Sequence, residues 1–218
     1  MKKYDKFPAK VYVDTFLKPD LHIYKTIFKD ALFQINYAQC KMLKAQKIIS
    51  DEEAKIILKN INVIENKFDF KNLEYNEKYE DLFFLIEKTL IDRIGVDTAG
   101  KLHTGRSRND MEHTMFRMEL RKFIILTIKD LFSLSEHLIK KSEKGTSEII
   151  LLYTHGQPAQ ASTLAHFLSA VIEFCLRDIE RLTKALDLVN MCPMGAAAIT
   201  TSGFPLSRER MAELLGFE

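Results

Sequence analysis

The chain has 218 residues, of which 46% are hydrophobic and 28% are charged, the composition of an ordinary globular protein with a sizeable core. Its 32 Lys and Arg against 30 Asp and Glu leave a net charge of +2, which is too even for the basic face of a nucleic-acid-binding protein. No apolar run approaches the roughly 18 residues that a membrane span requires. Neither nucleic acid nor a membrane is therefore expected as a partner.

The cysteines and the start of the chain bear on location. Cys40, Cys175 and Cys192 are widely scattered and form no CxxC pair, which argues against both a zinc site and a disulfide framework. The start, MKKYDKFPAK, carries positive charge, but no apolar segment follows it. A secretory signal is therefore not expected, and the predicted location is the cytoplasm.

The amino-terminal half is predicted to form short helices. Residues 26–49 carry apolar side chains three or four positions apart, which is typical of an amphipathic helix. Ser50 and Glu53 have the spacing of a capping box for a second helix. That helix is predicted to bury Ala54, Ile57, Leu58, Ile61 and Ile64. Residues 62–79 lose the periodicity and are predicted to be a loop, and the following segment EDLFFLIEKTLIDRI forms a helix that ends at Gly95.

Two long helices are predicted in the second half, where apolar residues recur in steps of three and four over many turns. The first stripe comprises Phe116, Leu120, Phe123, Thr127, Leu131, Leu134 and Leu138. The second comprises Leu164, Phe167, Leu168, Val171, Cys175, Ile179, Leu182, Leu186 and Val189. Both stripes are interpreted as core, and oligomerisation is expected wherever they are left uncovered.

The remaining segments complete an all-α prediction. YTHGQPAQ is interpreted as the connection between the long helices, with Pro158 returning the chain to helix and the preceding EIILLY run buried. A last helix starts after Ser207. The predicted domains are a small helical domain, residues 1–105, and the first part of a long-helix bundle, residues 106–218.

Two polar clusters are candidate sites. KLHTGRSRND, residues 101–110, precedes the first long helix, and a helix start together with arginine side chains favours the binding of a planar carboxylate. The other interpretation is a charged, capped loop. In the second cluster, residues 153–157, His155 lies between a hydroxyl and an amide, an arrangement that can orient a general acid or base. The other interpretation is a histidine that only caps a helix.

Several other kinds of site have no support. The remaining histidines show no metal-ligand spacing with carboxylates or cysteines. The chain contains no GxGxxG, no GxxxxGK[ST] and no GxSxG motif. Nucleotide binding, a nucleophilic serine and a metal centre are therefore not predicted.

Taken together, KLHTGRSRND, YTHGQPAQASTLAHFL and PMGAAAITTSGFPLSRERMAELLGF resemble argininosuccinate lyase of the fumarase/aspartase superfamily. The resemblance implies the all-α long-helix fold of that superfamily, a cytoplasmic homotetramer and a place in arginine biosynthesis. It also implies a reversible elimination that releases fumarate from an N-substituted aspartate, without a metal or cofactor.

The resemblance also implies roles for individual residues. Ser107, Arg108 and Asn109 match the segment that binds a substrate carboxylate. Thr154 matches a substrate-binding threonine, His155 the histidine on the acid side of the chemistry, and Gln157 a supporting polar residue. Asp81 occupies the place of an acidic residue near the substrate.

The sequence departs from the family pattern at three places. The serine-bearing loop Gly-Ser-Ser-x-Met-Pro-x-Lys, the expected source of the catalytic base, is not in this sequence, so the chain is expected to be incomplete. Phe83 replaces a substrate-side histidine, and an aromatic ring cannot donate a hydrogen bond to a carboxylate. Leu32, Ile35-Asn36 and Ala38-Gln39 replace an Asp, a Gly-Ser pair and an Ala-His step. The change at Phe83 makes a different N-substituted aspartate a second candidate substrate, and the last three changes predict that the amine side of the pocket differs more than the fumarate side.

A different class of function remains open at this point. The resemblance implies active sites assembled from three subunits, so a chain without the base loop needs a complementing chain. The alternative is a non-catalytic fragment or pseudoenzyme that acts as a binding or structural chain.

Overall fold

The structure is a computed structural model that describes residues 7–218. Most of the positively charged start used in the secretory-signal argument lies outside the described residues. The contacts divide the chain into two compact units. One runs up to Glu119 and includes Met191–Glu218, and the other is Leu120–Asn190. The domain boundary near residue 105 stays a prediction.

The first unit begins with a long helical segment. It comprises α1 (Lys10–Tyr12), α2 (Lys18–Ile23) and α3 (Lys29–Ala45), joined by π-helical turns at Val13–Leu17 and Tyr24–Phe28. The sequence pattern predicted a start at residue 26, whereas the helical segment begins at Lys10. The pattern was present, because the buried side chains before α3 recur in steps of four and three. They are Val13, Leu17, Leu21 and Tyr24.

The second helix, α4 (Asp51–Lys67), starts at the predicted capping box. The Glu53 N–H donates to Ser50 Oγ at 3.2 Å, and the Ser50 N–H donates to Glu53 Oε2 at 2.8 Å. The helix continues to Lys67, so the prediction of a loop from residue 62 is wrong for its first turn and a half. Burial of Ile64 explains the extension, since it continues the apolar face of Ile57 and Ile61.

Helix α5 (Leu82–Ile94) ends at Gly95, as predicted, where a φ of 81° suits glycine. Helix α6 (Val96–Ala99) and a 3₁₀ turn at Gly100–His103 then lead to the first polar cluster. The α3 helix is the centre of the core and packs against α4 and the carboxy-terminal helix α9 (Arg208–Leu214). The largest fully buried side chains include Leu32, Phe33, Ile35, Met42, Leu43, Ile57, Ile61, Leu82 and Met111.

Two long helices carry the rest of the chain. They are α7 (Arg108–Lys144), which belongs to both units, and α8 (Leu164–Val189), which lies in the second unit. The interpretation of their apolar stripes as core is wrong for several residues in this chain, because a helical period shows where a face lies and not what covers it. Leu168, Cys175 and Ile179 are buried. Exposed members of the stripes are Phe116, Phe123, Leu134 and Phe167.

The segment between the long helices is a β-hairpin of β1 (Ile149–Thr154) and β2 (Gln157–Thr163). His155 and Gly156 form its turn, with φ values of 50° and 75°, which is the pattern of a tight two-residue hairpin turn. Pro158 lies in β2, and Thr163 caps α8 by accepting a hydrogen bond from the His166 N–H at 3.1 Å. The prediction that Pro158 leads directly into a helix is therefore wrong.

The apolar run of β1 is not buried as predicted. Ile149 is 80% exposed and Tyr153 is 61% exposed, because the two strands form a sheet whose side chains face no third layer within the second unit. Within residues 7–218 this hairpin is the only sheet, and the predicted all-α class is confirmed. No helix in the described part of the chain has the length and apolar content to cross a membrane.

Candidate functional site

A cleft of about 630 Å³ lies in the first unit, beside the start of α7. Its polar lining comprises Asp20, Glu80, Asp81, Arg108, Asn109, Glu112 and His113. Its aromatic lining comprises Tyr12, Phe16, Tyr24, Phe28 and Phe116. Three of the predicted site residues, Asp81, Arg108 and Asn109, therefore meet at one cleft.

Arg108 is the cation of this cleft and is surrounded by carboxylates. Its Nη2 lies 2.8 Å from Asp81 Oδ2 and 3.5 Å from Glu112 Oε1, and its Nη1 lies 3.4 Å from Glu80 Oε1. The guanidinium carbon lies 5.1 Å from the centre of the Phe84 ring, which supports it from one side. Burial on its own lowers the pKa of Arg108, but the three carboxylates outweigh burial and raise it. Arg108 is therefore a permanent cation with its charge already paired.

Asp81 is the best-fixed of these partners. Its side chain is 1% exposed, and its Oδ1 caps α5 by accepting a hydrogen bond from the Phe84 N–H at 3.0 Å. Burial raises the pKa of Asp81, and the Phe84 N–H and the Arg108 guanidinium offset part of that rise. The side chains of Glu80 and Glu112 are 52% and 45% exposed, so the ion pair that each makes with Arg108 costs little to break.

Three further residues of the cleft, Tyr24, Asp20 and Glu112, were not predicted from the sequence. The Tyr24 hydroxyl donates to Glu112 Oε1 at 2.8 Å, and burial together with this carboxylate raises the pKa of Tyr24. Burial raises the pKa of Asp20, and the charge of Asp81 adds to the effect. Only Glu112 had a sequence signal, because it lies four positions after Arg108 on one helical face. Tyr24 and Asp20 reach the cleft through tertiary packing.

Ser107 and Asn109 flank Arg108 at the start of α7. Ser107 Oγ accepts a hydrogen bond from the Asn109 N–H at 3.3 Å, which satisfies one of the free N–H groups of the helix start. The Asn109 side chain is exposed and donates from Nδ2 to the Ala198 carbonyl at 3.3 Å. Within the cluster, the Thr104 carbonyl accepts a hydrogen bond from the buried Gln39 side chain at 2.9 Å, which ties this segment to α3.

His103 and Arg106, from the same cluster, turn inward instead of facing the cleft. The Arg106 Nε–H donates to His103 Nδ1 at 3.3 Å. Burial lowers the pKa of Arg106 to about 10, and burial together with the Arg106 charge lowers the pKa of His103 to about 4. Phe83 and Asn36, two positions that depart from the family pattern, line the same small cavity as this pair. Phe83 is thus a core residue whose ring lies 5.3 Å from that of His103.

Thr154, His155 and Gln157 are the predicted site residues that lie in the second unit. All three are exposed, at or beside the hairpin turn. The positive φ of His155 fixes its backbone in the left-handed region. The exposed imidazole therefore lies at the turn end of the hairpin, and the paired strands fix the position of its backbone.

The described residues contain no cluster suited to a metal ion. Among residues 7–218, no three His, Cys, Asp or Glu side chains lie close enough together to hold one. Arginine and asparagine donors at a helix start match the chemistry of an organic anion.

Comparison with known proteins decides the family. A family model described as lyase matches residues 8–218. The chain belongs to this lyase family. Argininosuccinate lyase 2 of Agrobacterium fabrum is 47% identical over 97% of the chain and 42% of its own length. Argininosuccinate lyase of Methanocaldococcus jannaschii is 40% identical over 89% of the chain and 40% of its own length.

These relatives confirm the predicted resemblance to argininosuccinate lyase, and the chain spans about two fifths of their length. Among solved structures, an EDDS lyase variant with bound fumarate is 31% identical, with a TM-score of 0.77 over 100% of this chain and 43% of that one. A class II fumarase from Schistosoma mansoni, 15% identical, has a TM-score of 0.68 over 86% of this chain and 43% of that one and shows the fold alone. The long-helix fold of the fumarase/aspartase superfamily is confirmed.

The His103–Arg106 pair predicts a pH dependence of stability. The folded-state pKa of about 4 lies below the ordinary 6.5, so the unfolded state binds more protons between these values and stability falls as pH is lowered from 6.5 to 4. His103→Asn keeps an acceptor for Arg106 but does not titrate. We expect the free energy of unfolding, measured with urea, to fall less steeply with acid in this variant, with His22→Asn as the exposed control. Parallel curves for wild type and His103→Asn would contradict the assignment.

Proposed function

We propose that the complete protein is a carbon–nitrogen lyase that eliminates an amine from an N-substituted aspartate and releases fumarate. This chain supplies the part that binds the fumarate half. The observation that carries the proposal is the pairing of Arg108 with a buried Asp81, next to Asn109, at a helix start that opens into a cleft of about 630 Å³. The membership of the lyase family and the argininosuccinate lyase relatives support it.

The proposed binding step is an exchange of carboxylates at Arg108. A substrate carboxylate takes the places of the exposed Glu80 and Glu112, while Asp81 keeps the guanidinium in position from its buried side. Arginine offers two parallel N–H donors that match a planar carboxylate. Asn109 and Ser107 add neutral donors at the helix start, where negative charge is favoured.

The proposed chemical step is a proton removal followed by loss of the amine. A base takes a proton from the carbon next to the bound carboxylate, and the electron pair is held as an aci-carboxylate dianion. The pair then forms the carbon–carbon double bond of fumarate as the carbon–nitrogen bond breaks. His155 gives a proton to the departing nitrogen. Thr154 binds the substrate, and Gln157 is a supporting polar residue beside them. Preorganised donors for the dianion contribute roughly 3–4 kcal/mol each.

Finer parts of the proposal follow from the relatives and from the sequence. Argininosuccinate is the first candidate substrate, with arginine as the leaving group, a role in arginine biosynthesis, and the cytoplasm as the location. The exposed apolar stripes of α7 and α8 support a homotetramer. The proposal also includes a domain boundary at residue 105. The catalytic base is proposed to come from the serine-bearing loop, which this sequence does not contain. A second N-substituted aspartate remains a candidate because Phe83 and Asn36 change the family pattern.

Arg108→Lys tests the binding step in the complete protein. Lysine keeps the charge but loses the second donor and the flat face that rests on Phe84, so kcat/KM for fumarate release falls by roughly one to two orders of magnitude. The control is Arg177→Lys, an exposed arginine on α8 that pairs with Glu173 four positions away. Fumarate is followed by its absorbance, with argininosuccinate and a panel of N-substituted aspartates. Equal turnover by wild type and Arg108→Lys would contradict the role of Arg108.

His155→Asn tests the acid role. Asparagine tolerates the left-handed backbone of the turn but cannot donate a proton, so kcat falls by roughly 10²–10⁴-fold while substrate affinity changes little. His137→Asn, at an exposed histidine of α7, is the control. An unchanged kcat would remove His155 from the mechanism. If the complete wild-type protein itself folds but releases no fumarate from any substrate, the non-catalytic alternative replaces the lyase.

A further inference from the structure

Asp110 is a buried acid that the resemblance does not assign to the site. It lies in the first turn of α7, directly after Asn109, and is 2% exposed. Its Oδ1 accepts a hydrogen bond from the Ser107 N–H at 2.9 Å. Its Oδ2 accepts two more, from the Gly195 N–H at 3.1 Å and the Ala197 N–H at 2.8 Å. One carboxylate thus joins the segment before α7 to a loop that lies 85 or more positions later in the chain.

The chemistry of these bonds requires a carboxylate. Three N–H donors converge on two oxygens, and an ionised carboxylate is the side chain that only accepts. Its negative charge also lies at the amino-terminal end of α7, where the helix dipole favours it. An asparagine of the same shape has one oxygen and an NH₂ group. Its NH₂ group would then point at the N–H of Ser107 or at those of Gly195 and Ala197, and two donors cannot form a hydrogen bond.

The loop that Asp110 holds has a conformation that it does not adopt without support. Ala197 and Thr201 have φ values of 54° and 69°, a region that costs a residue with a Cβ roughly 1–2 kcal/mol. The Thr201 hydroxyl donates to the Gly195 carbonyl at 2.8 Å, and the Thr201 N–H donates to the Ala196 carbonyl at 2.8 Å. The loop is therefore closed on itself by Thr201 and anchored to α7 by Asp110.

The same loop reaches the candidate site through one contact. The Ala198 carbonyl, next to Ala197, accepts the hydrogen bond from Asn109 Nδ2 at 3.3 Å. This bond occupies one N–H of the carboxamide and so restricts its orientation beside Arg108. The position of the Ala198 carbonyl depends in turn on the two N–H groups that Asp110 binds.

We propose that Asp110 is a positioning residue, which anchors residues 193–198 so that the Ala198 carbonyl orients the Asn109 carboxamide for a substrate carboxylate. This proposal rests on the proposed function, in which Asn109 binds that carboxylate. Asp110 itself does not touch the substrate. Its effect is on affinity for the dicarboxylate half and reaches the site through the loop.

Asp110→Asn in the complete protein tests the proposal by two measurements. The first is amide hydrogen exchange of residues 193–203, which we expect to become faster while exchange in α4 stays unchanged. The second is the inhibition constant of succinate, an unreactive dicarboxylate, which we expect to rise by roughly tenfold, the loss of one charge-assisted hydrogen bond. Faster exchange with an unchanged inhibition constant would reduce Asp110 to a structural residue and overturn the proposal. Unchanged exchange in a folded variant would overturn it as well.

Thr114→Val is the matched control. Thr114 is fully buried one turn further along α7, and its hydroxyl donates to the Asp110 carbonyl at 2.6 Å. The variant loses a buried hydrogen bond on the same helix, and Thr114 takes no part in the three hydrogen bonds of the Asp110 carboxylate. We expect lower thermal stability and an unchanged succinate constant. A rise equal to that of Asp110→Asn would show that general destabilisation explains the effect, which also overturns the proposal.

Thr201→Val keeps the test available if Asp110→Asn does not fold. Valine has nearly the same shape as threonine but no hydroxyl, so the variant loses the hydrogen bond to the Gly195 carbonyl at an exposed position. We expect faster exchange of the loop and a smaller rise in the succinate constant, and no change in either would overturn the proposal. If the wild-type protein neither binds succinate nor releases fumarate, the proposed function fails. The exchange measurement then still decides whether Asp110 holds the loop.

Discussion

The hydrogen bonds from three backbone N–H groups to the Asp110 carboxylate are the contact on which the geometry of the candidate site depends. They fix where α7 begins, and with it the positions of Ser107, Arg108 and Asn109. Because the carboxylate is buried, its bonds are strong and its loss is costly. The start of α7 is therefore held both by the segment before it, through Ser107, and by the loop that contains Gly195 and Ala197.

The charges of the cleft are arranged around this fixed start. Arg108 faces one buried carboxylate, Asp81, and two exposed ones, Glu80 and Glu112. Removal of a buried partner from a guanidinium is expensive, whereas an exposed ion pair contributes about 0–1 kcal/mol. The arrangement therefore separates a permanent support from partners that a bound anion is able to replace. This is the physical basis for placing a substrate carboxylate at Arg108.

The sequence was sufficient for the parts of the structure that depend on local chemistry. The capping box of Ser50 and Glu53 and the stop at Gly95 both follow from residues within one turn. Sustained apolar periodicity indicated α7 and α8. The residue types of the RSRND segment pointed to a helix start with arginine donors, and the Asp81, Arg108 and Asn109 side chains do lie at one cleft.

Other features depend on contacts that a single sequence does not display. Nothing local to Tyr24 or Asp20 indicates that they meet Arg108, since both arrive by the packing of the first helical segment. The apolar period of that segment is present in steps of four and three, but it was not recognised before residue 26. The hairpin was missed although IILLYT is rich in strand-forming residues and His155-Gly156 suits a tight turn. The apolar stripes were misjudged because periodicity locates a face without naming its partner.

A crystal structure of the complete protein with fumarate tests the central claim most directly. One fumarate carboxylate is expected at hydrogen-bond distance, about 2.7–3.2 Å, from both the Arg108 guanidinium and the Asn109 carboxamide. Glu80 and Glu112 would have moved away from Arg108, and Asp81 would remain in place. Fumarate bound elsewhere, with Arg108 still paired to all three carboxylates, would contradict the account.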